Sequence, residues 1–143
     1  MRGARTFRAT AAKYGVVRWG GVTEAAREGV SMHTHLSQDP VEHAILIVSL
    51  LRPLAESISR KDRELSSQLR RAASSTALNL AEGFGSAAGN ARLRFQTARG
   101  SLYEAQAALR VAVAWGYIPA ENAREALESM HVLGGRVYGL ARR

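Results

Sequence analysis

Arg92, Gln96, Arg99, Tyr103 and Arg110 follow one another at steps of four, three, four and seven residues. At helical pitch they share one edge. Guanidinium groups hold phosphates and a phenol ring stacks on a base, so this edge predicts a contact with nucleic acid through Arg92, Arg99, Tyr103 and Arg110. A solvated basic flank, or arginines paired with Glu104, Glu125 and Glu128, fits the same pattern. A second polar line runs through Gln68, Arg71, Ser75, Asn79 and Glu82, again at steps of three or four. Side chains of this kind beside an apolar face bond to another helix or another subunit, or form the wet border that every amphipathic helix has. Arg71 and Glu82 are separated along their helix by about 16 Å, too far to pair with each other, so each needs a partner from elsewhere.

The remaining polar groups do not assemble into a reaction centre. His33 and His35, with His43 and His131, have the residue type of metal ligands, but two of them fall in the N-terminal segment and no metal site is expected. Glu82 and Glu104 are a conceivable acid and base, yet no nucleophile or positioned histidine accompanies them. Gly83-Phe84-Gly85-Ser86 is glycine-rich but follows a helix where the phosphate-cradling motifs follow a strand. The chain has no cysteine, which excludes disulfides, thiolate metal sites and cysteine nucleophiles. A non-enzymatic protein without cofactors is the expectation.

Composition supports a polyanionic partner. Twenty Lys and Arg stand against 12 Asp and Glu, a formal charge of +8 over 143 residues. Such a balance favours nucleic acid first and an anionic membrane second. No stretch approaches the roughly 20 apolar residues that span a bilayer, and a soluble cytoplasmic protein without membrane contact is expected. Residues 1–38 carry six basic and two acidic side chains and are interrupted by five glycines. They read as a basic, disordered tail that either touches nucleic acid or precedes a second possible start at Met32.

Residues 39–143 supply the elements that position these groups. Asp39-Pro40 marks a helix start, with aspartate as cap and proline in the first turn. Val41, Ala44, Ile45, Val48, Leu51, Ala55 and Ile58 then form an apolar stripe to about Arg60, and Pro53 within it predicts a kink near Ser49 to Leu51 and not two separate helices. Asp62 caps a second helix whose core face is Leu65, Leu69, Ala72, Ala73, Thr76, Leu80 and Phe84. Gly83 and Gly85 are expected to end it in left-handed conformation. Asn90 is the expected cap of a third helix, in which Ala91, Phe95, Ala98, Leu102, Ala105, Leu109 and Ala112 alternate steps of four and three. On its opposite side Leu93, Gly100, Ala107 and Ala114 form a second stripe, apolar and mostly small. Gly116-Tyr117-Ile118-Pro119 breaks this helix, and the last one turns Ala123, Ala126, Leu127, Met130, Leu133, Val137 and Leu140 inward. Four helices joined by short loops predict an all-α, up-down-up-down antiparallel four-helix bundle.

Gln68, Arg70 to Ala73, Ser75, Asn79 to Gly83, Ala98 to Ser101, Glu104 and Gly116 to Ile118 resemble the four-helix bundle proteins encoded in intervening sequences of bacterial large-subunit ribosomal RNA genes. The superfamily includes the accessory variability protein of diversity-generating retroelements. The resemblance covers residues 41–140 and implies a homo-oligomer, a ring of five. It places Gln68, Arg71, Ser75, Asn79, Glu82, Gly100 and Glu104 at helix or subunit interfaces. Two functions follow as expectations: a basic oligomeric bundle that binds RNA or DNA without strong sequence preference, and an accessory module that docks a protein such as a reverse transcriptase.

Overall fold

In a computed structural model the described residues are 39–143, so the expected tail, the alternative start at Met32 and the pair His33 and His35 lie outside them. Asp39 accepts the Val41 N–H through Oδ1 at 2.9 Å, and α1 runs from there as Pro40–Ser59. Pro53 sits on its exposed side without interrupting the helical span. Asp62 caps α2, Arg63–Phe84, by accepting from the Leu65 N–H at 2.9 Å. Helix α3 is Ala88–Ala114 and α4 is Ala120–Ala141. Each helix packs on its neighbours in sequence, and α1 closes the ring against α4. The fold is an all-α four-helix bundle, as the periodicity required.

Ile58, Leu69, Leu80, Leu102, Leu109, Met130, Leu133 and Val137 are fully buried at its centre. Small residues between them, such as Ala98, Ala105, Ala112 and Ala123, have no exposure at all. They let the backbones approach while the leucines interdigitate.

Three local expectations are corrected. Gly83 is inside α2, and a Cβ there would overlap the Phe95 ring, so it is glycine because α3 comes close. Gly85 has φ −86°; the positive φ among the described residues belongs to Gly116, at 72°, just after α3. Phe84 is not core: it is half exposed and meets Phe95 edge-on with centroids 5.1 Å apart. Asn90 does not cap α3, which begins two residues earlier with Ala87 at the cap position and no side-chain bond there. The nearby hydroxyl of Ser86 is used instead on α2, donating to the Glu82 carbonyl at 2.6 Å.

One buried polar contact links the first and last helices. His43, 4 % exposed, places Nε2 2.9 Å from Ser129 Oγ, while Arg136 Nη1 is 3.5 Å from Nδ1. A guanidinium only donates, so Nδ1 accepts and Nε2–H donates to the serine. Burial, and then the Arg136 charge, push the ring down to about 4. His43 is therefore a neutral bridge within the core, and His131 is exposed. No group of metal-ligating side chains occurs among the described residues.

Candidate nucleic-acid and subunit interfaces

The apolar stripe of α3 fixes which way its flanks face. With Ala98 and Leu102 buried, Arg92, Arg99, Tyr103 and Arg110 fall on the flank toward α4. Arg92 and Arg110 are exposed. Arg99 is half-buried because its guanidinium lies over two rings, 5.4 Å from the Tyr103 centroid and 4.9 Å from that of Tyr138 on α4. Arg142 lies over Tyr138 as well, at 5.3 Å, and donates to its phenol oxygen at 2.7 Å. Cation and ring thus alternate across the seam between α3 and α4. Such contacts fix side chains that are otherwise floppy, and keep positive charge at the surface.

Tyr138 and Arg142 were not legible as partners of Arg99 from spacing alone, since they come from another helix. The signal available was their own i, i+4 relation on α4, which puts a ring beside a cation.

The other flank of α3 faces α2. Ser75 Oγ and Ser101 Oγ are 2.8 Å apart, and Asn79 Nδ2 donates to the Ser75 carbonyl at 2.9 Å and its hydroxyl at 3.1 Å. Glu82 finds its partner in Arg94, at 2.9 Å, and the same arginine reaches Asn79 Oδ1 at 3.4 Å. The sequence assigned Arg94 no role. It stands two residues after Arg92, about 200° further around α3, and that rotation puts it on the α2 side, away from the Arg92 edge.

Ser75, Asn79 and Glu82 are therefore joined in one polar seam. Gln68 is half-buried on the same line. Arg71 and Glu104 are exposed and make no ion pair with another described residue. At Gly100 a Cβ would meet no atom within 4 Å. Elsewhere on α2 and α3, exposed apolar side chains include Leu78, Leu93, Val111 and, at the end of α3, Trp115, the last 71 % accessible. An open depression of about 440 Å³ runs along the α2 side, lined among others by Arg71, Leu78, Asn79 and Arg94. It is open to solvent, unlike the enclosed clefts that bury most of a small ligand.

A protein-family model described as 23S rRNA-intervening sequence protein matches residues 38–139. The chain belongs to that family. No curated protein and no solved structure gives a significant match. Within this intervening-sequence protein the matched span contains both seams except for Arg142, which lies just beyond it. Among the described residues, no helix is long and apolar enough to cross a membrane.

Proposed function

We propose that this intervening-sequence protein is a non-enzymatic, cytoplasmic bundle that binds RNA or DNA without strong sequence preference, along the seam of α3 and α4. The observation that carries the reading is the alternation of Tyr103, Arg99, Tyr138 and Arg142, extended along α3 by the exposed Arg92 and Arg110. Phosphate contacts release condensed counterions and supply affinity that is indifferent to sequence. The family description, with its ribosomal RNA gene context, supports the same partner class.

The test is a salt titration of the dissociation constant. Replacing Arg92, Arg99 and Arg110 together by alanine should flatten the log–log slope by about two to three units, at 0.7–0.9 per lost contact. An unchanged slope overturns the assignment of these residues.

In this reading the chain works as a homo-oligomer, a ring of five, whose copies meet on the outer face of α2 and α3. Its support is the exposed apolar set Leu78, Leu93, Val111 and Trp115 on the same two helices as the exposed Arg71, Glu82 and Glu104. The same face favours a second reading, in which the ring is an accessory module that docks a protein such as a reverse transcriptase, as the resemblance to the accessory variability protein would suggest. A pull-down repeated after nuclease treatment discriminates them: protein retained without nucleic acid favours the second.

A further inference from the structure

Tyr103 and Tyr138 share the Arg99 guanidinium, but their situations differ. Tyr138 is covered by two cations and its hydroxyl is taken by Arg142. Tyr103 meets a single guanidinium among the described residues, and its hydroxyl lies at the limit of a bond, 3.5 Å from Arg99 Nε. One guanidinium covers at most one face of a ring, and Tyr103 is 49 % exposed. About half of the side chain is thus left to solvent, where a flat π partner can reach it.

We infer that Tyr103 is a stacking platform for an unpaired base, so that the nucleic acid taken by this seam is single-stranded. The inference rests on the nucleic-acid reading above and narrows it. In a duplex the base faces are covered by their neighbours, and only edges are presented, in a major groove about 12 Å wide. Tyr103 stands on the flank between two packed helices, and such a pair is about 20 Å across, from a helix diameter of ~10 Å and an interaxial distance of ~10 Å. That surface does not enter the groove. A duplex would reach the arginines through its phosphates and leave the ring unused.

A single strand uses both groups. Arg99 lies one turn before Tyr103 on α3 and Arg110 two turns after it, so the ring has a cation on either side at roughly 6 and 10 Å along the axis. A strand following the helix would lay phosphates against those cations and turn the base between them onto the ring. Arg99 on one face and the base on the other would continue the alternation that already crosses the seam. Every base has a π face, so this contact tolerates any sequence.

Fluorescence polarisation on the full chain tests this with three probes of equal length: single-stranded oligothymidylate, the same backbone carrying abasic sites, and a blunt duplex. The wild type should bind oligothymidylate most tightly. Tyr103→Ala should weaken that probe about tenfold or more while leaving the other two unchanged, and Tyr103→Phe should retain wild-type affinity because the ring is what matters. An exposed ring contributes little to the core, and unaltered melting of the alanine variant confirms that its loss of binding is local. If the abasic strand or the duplex binds as well as oligothymidylate, and Tyr103→Ala alters none of them, the stacking inference fails while the nucleic-acid reading stands. If no probe binds, both fail.

Discussion

His43 shows what one side chain can impose on a bundle. Its ring is ordinary in the unfolded chain, near 6.5, and sits at about 4 in the fold, where it accepts from Arg136 and donates to Ser129. Between these values the unfolded chain takes up a proton that the folded chain refuses. Stability is therefore full above pH 6.5 and declines as pH falls toward 4, by roughly 3 kcal/mol over the whole window at 1.36 kcal/mol per unit. Melting measured from pH 7 to pH 4 should show that decline, and His43→Gln should flatten it. A wild type whose melting temperature is level across the window refutes the neutral bridge. Gly83 gives a second prediction at the same scale. Gly83→Ala should destabilise the fold by about 1–3 kcal/mol because its methyl group meets the Phe95 ring. Adding Phe95→Leu should recover part of that loss, and strictly additive effects would deny the contact. Neither residue announced its role in the sequence. A histidine on a helix and a glycine near a helix end have common local explanations, and only the opposite helix reveals the real one. The caps at Asp39 and Asp62 were legible because the bond each makes is local.

Helices were read well where periodicity was strong and poorly where a neighbour decided. The inward face of α3 matched its four-three spacing from Phe95 to Ala112, all buried. Its start did not, because Ala88 and Gly89 carry the helix backward past Asn90 without needing its side chain. The outward stripe of α3 remains open in the single chain, and its glycine allows a clean test of subunit contact. Gly100 and Gly135 both lie on helices where an added Cβ meets nothing within 4 Å. Alanine at either should stabilise its helix by about 1 kcal/mol. If α3 packs closely on another copy at Gly100, Gly100→Ala will in addition weaken the assembly, while Gly135→Ala will not. Melting at high dilution and sedimentation at high concentration separate the two contributions. Equal behaviour of both variants in both measurements rules out a close approach at Gly100.

For the whole molecule the open question is mass. A chain of 15.5 kDa with a half-exposed ion pair between Glu82 and Arg94 gains little from that pair alone, about 0–1 kcal/mol. If other copies cover it, its removal becomes costly, because truncation leaves a buried charge unpaired, at ~3–5 kcal/mol. Glu82→Ala should accordingly lower the assembly mass seen by light scattering while barely moving the melting of the dilute chain. A monomeric wild type at micromolar concentration removes the ring and this prediction together. Bundle architecture was legible from apolar spacing, since four amphipathic helices with short loops have few ways to hide their faces. The surfaces were less so, because a polar edge reads alike whether it faces water, phosphate or protein. An even number of passes also means that α4 returns the chain to the end of the bundle where α1 began. Arg142 and Arg143 thus close the last helix at the end of the bundle where Asp39 opens the first. A polyanion meeting that end would find the Arg142 cation beside Tyr138, where long-range attraction favours first touch.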